Sequence, residues 1–329
     1  MTDPSDVWPR HASANFDQVR LVTKVARMYH EQHLRQPEIA GRLHISQPRV
    51  SRLLRNAAEM GIVRTTVVAP RGVFSDLEQA IEERYGLGEA VIVETLEDQA
   101  ERGLLPALGA TAAHYLHTTL LGGDTIGISS WSSSLLAVVD AMKPKSPPVA
   151  DRVVQILGGV GIAEAQVQAS RLTAGLARLT GATPVFLPAP GLVASASTRD
   201  ALIADPAVAS VLAVYRTLTV LLVGIGSLEP SVLLRQSGNA IAQEDQDELR
   251  RAGAVGDVCL RFFDAAGQPV MSSLERRVIG ITAGELRAVP RVIGVAGGRS
   301  KVGAIRAALL GKWVDVLITD LQTATALAR

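Results

Sequence analysis

The sequence predicts a two-domain protein, an all-α winged helix-turn-helix domain followed by an α/β domain built on a mostly parallel sheet. Three observations carry this. Residues 36–55, QPEIAGRLHISQPRVSRLLR, read as two short helices joined by a tight turn. From residue 124 onward, short apolar runs alternate with stretches of helical period, the pattern of strand–loop–helix units. Charge divides along the same line: residues 1–71 hold 11 Lys and Arg against six Asp and Glu, and the remainder holds 22 against 26. The expected limits are a polar, disordered tail over 1–15, the helix-turn-helix domain over 16–70 and the second domain over 71–329.

Composition narrows the function classes. The chain has 329 residues, longer than one typical domain, and 47% of them are apolar, enough for a substantial core. A net charge of +1 excludes a general polyanion binder and leaves the basicity local. A single cysteine, Cys259, excludes an internal disulfide and gives no metal cluster, and neither a metal nor a cofactor is expected. No apolar run reaches ~18 residues and the N-terminus has no signal-peptide pattern, so a soluble cytoplasmic protein with no membrane partner is expected.

In the first domain, Asp17–His33 is a helix with Val19, Val22, Val25, Ala26 and Tyr29 on its buried stripe. Ile39, Ala40 and Leu43 form the apolar face of the next helix. His44 and Ile45 make the turn, Ser46 is an N-cap, and Pro48 sits in the first turn of the following helix, where its missing N–H costs little. Val50, Leu53, Leu54 and Ala57 then face inward, and Gly61 ends the helix. Ile62–Ala69 is β-branched throughout and reads as a strand or small wing.

The outward face of that helix decides what the domain does. Arg49, Arg52 and Arg55 share it, and no acid occurs between Glu38 and Glu59. A merely solvated helix normally mixes signs at i,i+4. An unneutralised arginine face flanked by Gln36, Ser46, Gln47 and Ser51 suits the phosphates and base edges of double-stranded operator DNA.

The second domain opens with a helix over 74–85, a strand over 90–94 and a long helix over 102–121. Strands follow at 125–129, 153–157, 183–187, 218–224, 258–263, 292–296 and 314–318. Helices are expected at 133–142, 163–180, 198–204, 207–215 and 301–310. Leu218–Gly224 is apolar throughout, as in a strand covered on both faces. Such sheets bind ligands at the carboxyl ends of their strands.

Several loops fall at those ends. Gly127-Ile128-Ser129-Ser130-Trp131-Ser132-Ser133-Ser134 gathers hydroxyls and backbone N–H groups at a helix start, a cradle for a phosphate or a polyol. Gly158–Gly161 and Gly224–Ser227 are glycine-rich turns at corresponding positions. Asp257 supplies an acceptor for sugar hydroxyls. Lys301, at a helix start, opposes the helix dipole unless an anion lies near it. Gly127, Ser130, Ser132, Ser133, Ser134, Asp257 and Lys301 are therefore the candidate effector-binding residues.

With these residues in place, the chain from about residue 17 onward resembles the SorC/DeoR-type family of bacterial sugar-responsive transcriptional regulators. The resemblance is carried by QPEIAGRLHISQPRVSRLL, LEQAIEERYGL, GISSWSSSL, VVQILGGVG, LPAP, LLVGIG, GAVGDVCLRFFDAAG, VAGGRSKVGAIRAALLG and VDVLITD, in that order. It implies an effector domain like the sugar-phosphate isomerase and deaminase fold, serving as a sensor. It also implies an effector pocket lined by Ser130, Ser132, Ser133, Ser134, Asp257 and Lys301, and a homodimer or homotetramer on DNA. The family's loop usually reads Ser-Trp-Gly-x-Thr. Here Ser132 stands in the glycine's place and Ser134 keeps the threonine's hydroxyl, so an unphosphorylated sugar or polyol stands beside a sugar phosphate as the expected effector.

The competing class is a sugar-phosphate isomerase or deaminase with a basic appendage. That chemistry needs a base at the substrate carbon. None of the six histidines lies at a predicted strand end, and the rim acids reduce to Asp257, Glu229 and Asp320. A non-enzymatic regulator of a carbohydrate operon is the expectation.

Overall fold

The computed structural model describes residues 13–64, 70, 72–95, 103–161, 163–229, 235 and 241–329. The chain folds as two compact units, Met1–Ala69 and Pro70–Arg329.

The first unit is built on α1 (Ser13–His30), α2 (Gln36–Leu43) and α3 (Gln47–Glu59). Val22, Val25, Ala26 and Met28 of α1 bury against Ile39 and Ala40 of α2 and Val50, Leu53 and Ala57 of α3. The period-3.6 stripe accounts for most of this set. Tyr29 departs from it: near the helix end it is 39% exposed, edge-on to His30, and Met28 fills the core instead. His44 ends α2 in the left-handed region, with φ 53°, and Ile45 packs half-buried under the turn. Ser46 occupies the N-cap of α3 in extended conformation, without a side-chain capping bond, and Pro48 lies in the first turn.

The expected strand over 62–69 is not found in its described part. The Val63 N–H donates to Ala57 O at 3.0 Å, which folds residues 62–64 back on the helix end as a turn. Residues 65–69 lie outside the described residues, as do residues 1–12 of the expected tail.

In the second unit, α4 (Ser75–Tyr85), β1 (Glu89–Val93), α5 (Leu104–Thr119), β2 (Asp124–Ile128), α6 (Ser133–Ala141), β3 (Ala150–Gln155), α7 (Ala163–Thr180) and β4 (Thr183–Val185) come first. They are followed by α8 (Ala196–Ala204), α9 (Pro206–Val214), β5 (Val220–Val223), β6 (Gly226–Ser227), α10 (Gln243–Arg251), β7 (Ala254–Val258) and β8 (Arg261–Asp264). The chain ends with α11 (Ala283–Ala288), β9 (Arg291–Val295), α12 (Val302–Leu310), β10 (Val316–Asp320) and α13 (Leu321–Ala328).

Seven strands form one sheet in the order β1-β10-β9-β5-β2-β3-β4, every neighbouring pair parallel. Alternating βα units require this, since a parallel return needs a crossover helix. The sheet is covered on both faces by apolar clusters, one around Leu221, Ile305 and Trp313, the other around Ile126, Leu222 and Ile293.

The run expected as one strand at 258–263 is two. β7 and β8 are antiparallel, with Val258 opposite Arg261, and β6 pairs with β7 to complete a small three-stranded sheet. The turn residues Cys259 and Leu260 have φ of 56° and 59°. A two-residue turn of this kind normally uses Asn-Gly, so Cys-Leu hid it in the sequence.

The two units carry separate cores, so a cavity in one should melt that one alone. Ile39→Ala removes a side chain with no solvent exposure. It should cost the N-terminal unit ~2–5 kcal/mol. Calorimetry should show its transition lowered and the α/β unit's transition unmoved; a uniform shift of both would contradict the division.

Candidate functional site

A cleft of about 600 Å³ opens at the carboxyl ends of the central strands. Cavities of this size hold small metabolites. The segments after β2, β5, β9 and β10 form its polar side. The β7–β8 hairpin and the first turns of α5 close it with apolar side chains, among them Leu104, Leu108, Leu260 and Phe262.

The serine loop is arranged by local bonds. Ser132 is the N-cap of α6, its Oγ accepting from the Leu135 N–H at 3.4 Å and lying 3.2 Å from Ser134 Oγ. Ser134 Oγ donates to Val295 O at 3.0 Å, tying β2's loop to the end of β9. Ser132, Ser133 and Ser134 all line the cleft.

Ser130 does not line it. It is fully buried beneath the loop, donating to Leu157 O at 2.5 Å and accepting from Gln155 Nε2 at 2.9 Å. Gly127 is not on the wall either. It lies inside β2, where a Cβ would collide with Leu221 Cδ2, so its role is close packing. Gly158 and Gly159 likewise pack against Pro190 and Gln155 rather than joining the rim. A glycine-rich turn after a strand serves a ligand or the core, and here the core takes three of the predicted positions.

Asp257 and Lys301 do share the cleft. Asp257 stands in β7 opposite Gly226, its Oδ2 accepting from the Leu260 N–H at 2.9 Å. Burial pushes its carboxyl up to about 6, against the opposing pull of the Leu260 bond and the Lys301 charge. Lys301 donates from Nζ to Ile225 O at 3.0 Å, and burial lowers its pKa while Asp257 raises it. The two form no direct ion pair within 4.0 Å among the described residues. Each is a partly desolvated charge whose compensation is incomplete.

Sequence reasoning undervalued three lining residues. Asp320, weighed only as a rim acid, ends β10 beside the Gly297–Lys301 loop and accepts from the Gly298 N–H at 2.8 Å. Its position at a parallel-strand end, three residues before Thr323, is a readable N-cap signature. Cys259 and Leu260 face the cleft from the hairpin turn, which the sequence did not disclose. The Cys259 thiol is pushed up to about 12 by burial, so it contributes a small apolar wall and no nucleophile. Glu229 also lines the cleft; no histidine does so among the described residues. Among the described residues no group of side chains has the makings of a metal centre, and no helix is long and apolar enough to cross a membrane.

In the helical unit, Ser46, Gln47, Arg49, Ser51, Arg52 and Arg55 are exposed along α3, and Gln36 is half-buried at the start of α2. Arg49, Arg52 and Arg55 enter no ion pair among the described residues. This gives one continuous face of unneutralised donors.

Comparison with known proteins follows the same two units. Residues 72–329 match a family model described as "Putative sugar-binding domain". The chain is 34% identical over 309 residues to the deoxyribonucleoside regulator of Bacillus subtilis, covering 94% of this chain and 97% of that protein. It is 30% identical over 317 residues to the sorbitol operon regulator of Klebsiella pneumoniae, covering 96% and 99%. The crystal structure of full-length SorC from K. pneumoniae superposes with a TM-score of 0.70 at 29% identity, over 95% of this chain and 100% of that one. The sugar-binding domain of DeoR from Pseudomonas syringae pv. tomato gives 0.61 at 40% identity, over 78% and 100%.

The raised pKa of Asp257 has a stability consequence. Between pH 4 and 6 the folded chain holds a proton that the unfolded chain has released, so stability falls as pH rises through that window. Asp257→Asn should therefore melt above wild type at pH 7–8, with the difference closing toward pH 4.5. Thermal melts across that range are the check; a difference independent of pH would rule out a perturbed Asp257.

Proposed function

The chain belongs to the SorC/DeoR-type family of sugar-binding transcriptional regulators, and from that premise we propose that it regulates a carbohydrate-catabolism operon through a small effector held in the cleft. The effector is a sugar, a polyol or a sugar phosphate. The observation that carries this reading is the pairing, at one cleft, of hydroxyl-rich α6 N-terminal residues with a half-buried Asp257 and Lys301 that leave each other incompletely neutralised. A polyhydroxy ligand supplies donors to Asp257, and an anionic group supplies the counter-charge that Lys301 lacks. The cleft lies in the unit that matches the sugar-binding model.

The DNA contact belongs to α3. Arg52 projects centrally from the exposed face and is assigned to a base edge or phosphate, and Arg55, nearer the helix end, to phosphate. A single helix-turn-helix reads too few base pairs to find one site in a genome, so the chain works as a homodimer or homotetramer on a near-palindromic operator.

A sensing role is favoured over isomerase or deaminase turnover. Asp320 is occupied by three hydrogen bonds, one oxygen of Asp257 by the Leu260 N–H, and no histidine among the described residues faces the cleft. Asp257 is the group an isomerase would use as base, so an assay for sugar-phosphate turnover by purified protein is the direct control.

Two measurements test the assignment. In band shifts on its own promoter, Arg52→Ala should cost ~1–3 kcal/mol if the side chain reads a guanine. Arg55→Ala should weaken all sequences alike and flatten the salt dependence. Equal affinity for wild type and the double variant would remove α3 as the reading helix. In a thermal-shift screen of sugars, polyols and their phosphates, an effector raises Tm by mass action. Lys301→Ala should abolish the shift from a phosphorylated hit and change little for a neutral one, while Asp257→Ala should weaken either; intact binding by both variants would place the effector elsewhere.

A further inference from the structure

Asp320 does two jobs with its two oxygens. Oδ1 caps α13, accepting from the Thr323 N–H at 3.0 Å. Oδ2 reaches across the sheet edge to accept from the Gly298 N–H at 2.8 Å and from Thr323 Oγ1 at 2.6 Å. The Gly298 N–H also reaches Thr323 Oγ1 at 2.9 Å. Asp320 and Thr323 are 3% and 0% exposed, so these bonds are shielded from water.

What they hold is the root of the Lys301 turn. Gly298 has φ 99°, and its carbonyl accepts the Lys301 N–H at 2.9 Å. A Cβ on Gly297 would collide with Asp320 Oδ2, so the loop is pressed onto the carboxylate. The backbone that carries Lys301 is thus held from behind by a residue of the next strand, while its ammonium rests on Ile225 O.

The far end of α13 is held from outside. The last carbonyls of a helix have no partner within it. Here Tyr85 Oη donates to Leu327 O at 2.9 Å and Arg84 to Ala328 O at 2.8 Å, both from α4, while Arg306 of α12 donates to Ala326 O at 2.7 Å. α4 starts at Ser75, just beyond the boundary between the two units at Ala69 and Pro70. An eight-residue helix spans about 12 Å as a stiff rod. A shift of its capped end must reach its other end, where α4 grips it.

We propose that Asp320, seconded by Thr323, positions the Gly298–Lys301 turn for an anionic effector group, and that α13 carries the occupancy of that turn to α4. The assignment rests on reading the cleft as the effector site. Occupancy strains or relaxes the Gly298–Asp320 bond, α13 follows its cap, and the Tyr85 and Arg84 bonds pass the shift to the helix that leads back along the chain to the DNA-reading unit.

The experiment uses the full chain, its own promoter DNA, and three probes: inorganic phosphate, ribose 5-phosphate and glucose 6-phosphate. Calorimetry gives probe affinity. Band shifts with and without probe give the factor by which it changes operator affinity, and linkage requires the reverse factor to match. Asp320→Asn should weaken the probe that binds wild type by about tenfold. Thr323→Val, a smaller change if the asparagine variant folds poorly, should do the same in lesser degree, and Thr323→Ser should restore binding. Tyr85→Phe removes one hydroxyl far from the cleft. It should leave probe affinity within twofold and drive the coupling factor toward one, which a merely structural bond would not do. Wild-type binding by the Asp320 and Thr323 variants overturns the positioning role, and full coupling in Tyr85→Phe overturns the route. If wild type binds none of the probes, or Lys301→Ala binds them as well as wild type, the anionic-effector reading falls, and this proposal with it.

Discussion

The constraint on which the site depends is the lack of room at the carboxyl edge of the sheet. Three side chains lining the cleft each stand against a glycine of a neighbouring segment. A Cβ on Gly224 would come within 2.5 Å of Ser132 Oγ, one on Gly226 would overlap Asp257 Oδ1, and one on Gly297 would overlap Asp320 Oδ2. A Cβ at any of these positions would force the facing oxygen to move. The glycines are therefore paired with specific oxygens, and a polar group that would otherwise face a methyl faces a peptide plane. This explains how a cleft between parallel strands can expose carboxylate and hydroxyl to a ligand while the residues just beneath remain a closely packed core.

The same crowding sets the electrostatics. Asp257 and Lys301 are drawn out of water by the apolar hairpin and the first turns of α5, yet neither is brought into contact with the other. Burial raises the Asp257 carboxyl to about 6 and lowers the Lys301 pKa. Burial of charge without full pairing is costly. A ligand shifts a regulator only by its differential affinity for two conformations, so such a pair contributes to switching only where the two conformations hold it differently.

Much of this was legible in the sequence, and what escaped has identifiable causes. The three-helix unit follows from apolar spacing: Val22, Val25, Ala26, Ile39, Ala40, Val50, Leu53 and Ala57 are all buried. Strand positions in the sheet follow from the alternation of apolar runs with helical ones. Among the candidate site residues, Ser132, Ser133, Ser134, Asp257 and Lys301 line one cleft, because strand-end position is a property of topology and topology was readable. Ser130 and Gly127 do not, since both depend on neighbours far along the chain: Leu157 and Gln155 draw the Ser130 hydroxyl inward, and Leu221 and Ile156 pack directly against Gly127. The β7–β8 turn was invisible because Cys259 and Leu260 are poor residues for positive φ. Helices α10, α11 and α13 passed unread because α10 is almost wholly polar, α11 has only six residues and α13 follows its strand without a linker.

The last of these omissions has a structural cause. A strand that passes directly into a helix has one residue as both the strand's end and the helix's cap, and in β10 that residue is Asp320. Strand ends face the ligand, and helix caps govern where the helix lies. Fusing the two in one buried carboxylate ties the Gly298 loop, through Oδ2, to the first turn of α13, through Oδ1. A longer loop between β10 and α13 would absorb the displacement in its own dihedrals. The short connection, which removed the usual turn residues from the sequence, is the same feature that joins α13 directly to a residue lining the cleft.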